Sequence, residues 1–252
     1  LEGAEQREFA CIIGDVRTEE GRTIRTFLNE LQSYSLQKVP ASEIVGYVQS
    51  YVSYLVKIHK LVNPVHSQYL HILVERFVFS LICSDLRKFE AEKNAEQDTN
   101  FSEKVSILKK LTIVQLGVDV KFLSPEKLAH PNDDSIVCFE EAIQIIEHLP
   151  YLNAPGDLLH CILCCAKSIH NTAHKFCTMK GHDFAFGADE FFPILVYVVV
   201  QASLPCIHSI LSFTTKYMPE RISSEIQYYL TCLEGSVSYV TQVTEDEINN
   251  LT

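Results

Sequence analysis

The chain has 252 residues, 47% of them hydrophobic, and a formal net charge of −11. That is enough apolar material for a sizeable core, as one large domain or two packed ones. The acidic balance excludes a nucleic-acid surface, which needs clustered Lys and Arg to neutralise phosphates, and suits a basic or neutral protein partner.

Residues 1–35 are mixed, with a charged stretch from Asp15 to Arg25 and a short helix expected around Ile24–Leu31. The absence of an initiating Met or a basic-then-apolar leader at Leu1 makes an excised fragment the expectation. From Ser42 the spacing of Ile44, Val45, Val48, Val52, Leu55 and Val56 predicts a helix. Asn63-Pro64 supplies an N-cap and first-turn proline for the next, with Val65, Tyr69, Leu73, Phe77 and Leu81 on its expected core face. The polar run Glu90–Asn100 lacks an apolar anchor and reads as a loop, with Asn100 and Glu103 at capping-box spacing for a helix through Ile107 and Leu111. The subdomain boundary is placed here, giving an N-terminal helical bundle over residues 1–107 and a second domain over 108–252. Beyond it, Ser124-Pro125 starts a short helix. Asn132-Asp133-Asp134 caps an expected longer one holding Val137, Phe139, Ile143, Ile146 and Leu149, which Pro150 ends. Pro155-Gly156-Asp157 opens another, and Ser223-Ser224-Glu225 begins a last amphipathic helix to about Val243. Only Thr112–Phe122 has enough period-two character to compete as a strand. The fold class is all-α, with roughly ten helices.

The longest charge-free apolar run lies between Phe191 and Val200. A helix apolar on every face must be the central one. Pro193 puts its start only a few residues earlier, where Asp189 and Glu190 stand, and Asp189 reads first as an N-cap. Extended to Leu211, the run approaches membrane-spanning length, but Pro193, Gln201, Ser203, Pro205 and His208 interrupt it and no basic flank anchors it. No transmembrane segment is therefore expected.

The chain holds nine cysteines, an odd number, mostly in apolar segments, which read as reduced core thiols of a cytoplasmic protein. His160, Cys161, Cys164, Cys165, His170, His174, Cys177 and His182 crowd one stretch and invite a zinc reading. One regular helix, however, separates Cys161 from His174 by about 20 Å, and Cys161, Ile162, Cys165 and Ile169 share a face as core residues do. No metal site and no cofactor are expected. On the last helix Ile226, Tyr229, Leu230, Leu233, Val237 and Val240 share one face. Tyr228 points away, among small Ser224, Thr231 and Gly235, and is either an ordinary exposed tyrosine or a partner-binding anchor.

The run Ala188-Asp189-Glu190-Phe191-Phe192-Pro193-Ile194-Leu195-Val196-Tyr197, followed some thirty residues later by Tyr228-Tyr229-Leu230-Thr231, resembles the VPS9 domain. Asp157-Leu158-Leu159-His160-Cys161-Ile162 with Lys167, Ile169 and Asn171 is similar to an earlier helix of that family, and the likeness extends over about residues 110–245. The resemblance implies a helical bundle packed on a VPS9-type helical domain, here residues 108–252. It implies guanine-nucleotide exchange on a Rab5-subfamily GTPase, without covalent chemistry. Asp189 matches the acid that enters the nucleotide and Mg²⁺ site, and Pro193, Tyr228 and Thr231 match contacts to the switch regions. It further implies a cytoplasmic protein recruited to early endosomes through regions outside this sequence. The chain departs from the family pattern in carrying Glu190 for a second aspartate and Ser224-Glu225-Ile226-Gln227 where the family has Gly-Glu-x-Gly. That second departure sustains an alternative of another class, a non-catalytic helical scaffold that binds a Rab or another endosomal protein.

Overall fold

A computed structural model describes residues 3–33, 36–61, 64–131, 133, 135–244 and 246–248. Its elements are α1 (Gly3–Gly14), α2 (Glu19–Ser33), α3 (Ala41–Ile58), α4 (Pro64–Leu108), α5 (Pro125–Ala129), α6 (Glu140–Ile146), α7 (Pro155–Met179), α8 (Ala188–Gln201), α9 (Ile207–Tyr217) and α10 (Ser224–Gln242). Among the described residues, 3-10 turns also form at Leu36–Lys38, Val120–Phe122 and Leu149–Tyr151, and residues 246–248 are helical. Among the described residues no strand forms, and the protein is all-α.

The chain divides into two compact units. One takes residues 1–92, 153–157 and 212–221, the other residues 93–152, 158–211 and 222–252. In the first, α1 packs on α2, and Ile24, Leu28, Ile44, Leu55, Leu70, Val74, Val78 and Phe79 are buried. Phe79 meets Phe213 edge to face at 5.9 Å between centroids. The buried face of α4 runs through Leu70, Val74, Val78, Ile82 and Leu86, while Leu81 is exposed and Tyr69, Leu73 and Phe77 are only half-buried. The expected face is thus rotated by one residue. This helix carries two adjacent apolar stripes at helical spacing, and periodicity alone does not choose between them. Asn63, Asn132, Asp134, Leu1 and the side chain of Val65 lie outside the described residues.

Two further expectations are corrected. Glu90–Asn100 is not a loop: it is interior helix of α4. It contains no Gly or Pro, and its inward anchors are acids. Glu90 is buried and accepts from Ser212 Oγ at 2.7 Å and Lys216 Nζ at 2.9 Å. Asp98, buried in the second unit, accepts from the His208 amide at 2.8 Å and from the Ser209 hydroxyl. Asn100 is accordingly no cap, and its amide donates to the Thr241 carbonyl. The helix expected from residue 132 begins only at Glu140, because Asp133 turns on itself, accepting from Ser135 N at 2.9 Å, and Phe139 adopts φ 57°. Val137 is left exposed.

In the second unit α8 packs against α6 and α10. Every residue from Ile194 to Val200 is buried, as a helix apolar all round requires. It stops at Gln201, well short of Leu211, and α9 starts anew at Ile207 after Cys206 takes φ 60°. Among the described residues no helix is long and apolar enough to cross a membrane.

The first unit also holds Glu75, which is 4% exposed and accepts the Gly156 N–H at 3.1 Å. A Cβ at Gly156 would collide with that carboxylate. Burial pushes the Glu75 carboxyl from 4.5 up to about 7, with the Gly156 hydrogen bond and Arg76 opposing the rise and Asp157 adding to it. The folded state then keeps a proton that the unfolded chain has lost, so this group's contribution to stability falls as pH rises between those two values. Glu75→Gln should remove that slope and raise stability by up to about 3 kcal/mol near pH 8, with little change near pH 4. Denaturant unfolding of both proteins across this range is the check.

Candidate functional site

α8 starts from Gly187, whose N–H donates to Glu190 Oε2 at 2.8 Å. Glu190 is therefore the residue that closes the helix end. The N-cap reading of Asp189 is corrected, since a side chain at the third helical position has the reach to return to the cap N–H. The Gly187 N–H bond holds the Glu190 carboxyl below the usual carboxylate range, and Lys121, at 3.7 Å, assists. Asp189 is exposed at the second position of the helix, with no hydrogen-bond or ion-pair partner among the described residues. Its backbone carbonyl also lacks the usual helical donor, because residue 193 is proline and has no N–H. The first turn of a buried helix thus ends in a free carboxylate at its positive pole.

Pro193 is half-buried and faces Gly117. Gly117 holds φ +90°, a conformation L side chains rarely adopt, and a Cβ there would stand 3.6 Å from Pro193 Cβ. The loop before α8 is tied down by aromatic contacts. Phe186 lies edge-on to Phe122 at 5.2 Å and to His170 at 4.6 Å, and Phe191 stacks on His170 at 5.5 Å.

The start of α10 needs no glycine, since Ser223 caps it by accepting the Ile226 N–H at 3.2 Å. Leu230, Leu233, Val237 and Val240 are buried, and Tyr228 stands off that face, 45% exposed. Tyr229 turns inward. Its ring meets Phe191 at 5.5 Å, its hydroxyl shares a hydrogen bond with His170 Nε2 at 3.2 Å, and it closes a small apolar space with Ile162, Cys165, Leu195 and Leu233. Burial lowers the His170 pKa and favours the neutral ring. Thr231 is exposed and donates to the Gln227 carbonyl at 3.0 Å.

Phe191–Tyr229 is the contact that gathers the candidate residues. Asp189 and Pro193 each lie two residues from Phe191, and Tyr228 and Thr231 lie one and two residues from Tyr229. Beside it, Phe192 meets Tyr239 at 6.3 Å, and its ring edge lies 3.6 Å from where a Cβ on Gly235 would stand. Tyr228, Gly235 and Tyr239, all exposed, share one face of α10. The supporting residues Phe186, Lys121 and Lys180 are not singled out by sequence reasoning, and His170 is noticed there only as part of the Cys/His stretch. The signal available for the first is Phe184-Ala185-Phe186, two residues ahead of the acid pair.

The Cys/His stretch from His160 to Cys177 falls on one continuous helix, α7, and His182 lies in the loop beyond it. Cys161 and Cys165 are buried, and the Cys161 thiol donates to the Ile145 carbonyl at 3.1 Å. Burial pushes the Cys161 thiol up to about 12 and moves Cys165 the same way. Among the described residues no group of three or more His, Cys, Asp or Glu side chains could hold a metal ion.

These placements separate stability from site chemistry. Asp189→Ala should change unfolding free energy by no more than about 0.5 kcal/mol, whereas Glu190→Ala, which removes the cap contact, should cost about 1 kcal/mol. Tyr228→Ala should likewise be near neutral, and Tyr229→Ala should cost about 3 kcal/mol through the cavity it leaves. Urea unfolding of the four variants tests the ordering, and a Tyr228→Ala loss equal to that of Tyr229→Ala would show the helix to be wrongly phased.

A sequence profile of the Vacuolar sorting protein 9 (VPS9) domain matches residues 139–245. The Arabidopsis thaliana protein named Vacuolar protein sorting-associated protein 9A is 30% identical over 148 residues, 57% of this chain and 27% of that protein. Schizosaccharomyces pombe Vacuolar protein sorting-associated protein vps901 is 26% identical over 168 residues, 64% of this chain and 26% of its own length. The Homo sapiens protein named Rab5 GDP/GTP exchange factor is 25% identical over 178 residues, 70% of this chain and 34% of that protein. The chain thus spans about a quarter to a third of the length of these curated relatives. The matched residues contain the whole of α6 through α10, with the free acid, the proline and the tyrosine pair that gather around Phe191 and Tyr229: residues 139–245 of this chain are a VPS9 domain.

Proposed function

We propose that the chain is a guanine nucleotide exchange factor for a Rab5-subfamily GTPase. Asp189 enters the nucleotide site, where its carboxylate competes with phosphate oxygens and Mg²⁺ for the same charge partners, including the phosphate-binding lysine. Pro193, Tyr228 and Thr231 meet the switch regions. The observation that carries this reading is the unpartnered Asp189 carboxylate, held at the end of a buried helix whose Phe191 packs on Tyr229, the neighbour of an exposed tyrosine. An acid spent on capping would not be available to displace a phosphate, and in this chain Glu190 does the capping. Tyr228 offers a large aromatic surface at low entropic cost, the usual make-up of an interface anchor. The Thr231 hydroxyl gives its proton to Gln227 and keeps an oxygen lone pair facing out. Exchange by this route needs no covalent step and no cofactor. The human relative's name supplies the GTPase subfamily. A cytoplasmic protein brought to early endosomes by regions outside residues 1–252 belongs to the same proposal.

The test is release of fluorescent GDP from a panel of Rab GTPases. The chain should accelerate release from a Rab5-subfamily member, and Asp189→Ala and Asp189→Asn should each lose about 100-fold. Tyr228→Ala should lose about 30-fold, the equivalent of an interface anchor worth about 2 kcal/mol. Wild-type release by Asp189→Asn would overturn the role of the charge. Rab binding without release would favour a non-catalytic scaffold.

A further inference from the structure

Backbone N–H groups close the end of α7. Gly181, at φ +70°, donates to the Thr178 carbonyl at 3.0 Å, and His182 N and Lys180 N both donate to the Cys177 carbonyl, each at 3.2 Å. A lysine just past the C-terminus of a helix can turn back to those terminal carbonyls. Lys180 does not. Its ammonium donates to the carbonyls of Val120 at 2.9 Å and Leu123 at 2.8 Å, both in the segment of the Val120–Phe122 turn. On the same turn, Lys121 reaches Glu190 Oε1 at 3.7 Å and Asp119 at 3.4 Å, and Phe122 holds Phe186. Glu190 in turn holds Gly187 at the start of α8. These contacts run from Lys180 through the turn to the residue beside Asp189. They span the loop of residues 181–187, which is exposed apart from Phe186 and has no regular structure of its own.

We propose that Lys180 is a positioning residue. By holding the Val120–Phe122 turn against the end of α7 it fixes the start of α8, and so the direction in which Asp189 presents its carboxylate. The consequence for exchange rests on the function proposed above, whereas the mechanical part stands on the geometry alone. Methionine keeps the length of the side chain and loses both hydrogen bonds. Arginine keeps donors enough for two carbonyls.

Two measurements decide the proposal. Hydrogen exchange of wild type, Lys180→Met and Lys180→Arg reads the latch directly. The amides of residues 182–191 should lose about 10-fold in protection in Lys180→Met and regain it in Lys180→Arg, with the α10 amides unchanged. GDP release is then measured in the wild-type and Asp189→Asn backgrounds. Lys180→Met should lower the rate at saturating GTPase about 10-fold with KM within about two-fold, Lys180→Arg should restore it, and in the Asp189→Asn background Lys180→Met should cost nothing further. Unchanged protection in Lys180→Met overturns the latch. A rate loss of equal size in both backgrounds overturns its action through Asp189. If wild type is inactive on every GTPase of the panel, the exchange reading and the action on exchange fall together, and the protection data alone decide whether Lys180 holds the start of α8.

Discussion

The constraint on which this structure depends is the all-round burial of α8. Seven consecutive residues, Ile194 to Val200, have no exposed face, so charge can enter that helix only at its ends. Its N-terminal end still has unsatisfied backbone donors and a positive pole that must reach solvent or a carboxylate. Two acids stand there, and local geometry divides their work. Glu190 has the reach to close the Gly187 N–H, which leaves Asp189 with nothing inside the molecule to bind. Pro193 extends the same logic, because it removes a donor that would have covered the Asp189 carbonyl. An acid so placed contributes little to folding and is free for an external cation.

Acids serve the opposite purpose elsewhere. Glu90, Asp98 and Glu75 are buried and answered by specific donors, Lys216 and Ser212 for the first, Ser209 and the His208 amide for the second, the Gly156 amide for the third. Leaving such a group without its partner costs far more than the pair contributes in net terms. Each therefore sets the position of one helix against one residue of another within its unit. The net negative charge of the chain is partly internal architecture, and only the remainder is surface.

The aromatic side chains connect support to site. His170, Phe186, Phe191 and Tyr229 touch in a chain of edge-on, tilted and stacked contacts. Tyr228 extends it outward by packing on Tyr229 at 5.2 Å. An exposed tyrosine seated on a half-buried one has fewer orientations to lose when a partner binds, which favours affinity through preorganisation.

Much of this was legible without coordinates. The central helix followed from an apolar run too uniform for a surface, the start of α10 from Ser223, the off-core direction of Tyr228 from helical phase, and the family from two motifs in the matched segment. These depend on near neighbours in sequence, where spacing and stereochemistry suffice. What sequence could not supply were choices between locally equivalent options. The core stripe of α4, the helical state of Glu90–Asn100, the assignment of the cap to Glu190 and the use of Lys180 on a distant turn were all of this kind. The physical reason is common to them. Each is decided by a donor, acceptor or apolar surface brought from far along the chain, and a buried acid answered by Lys216 or Ser209 has the same sequence signature as a solvated one.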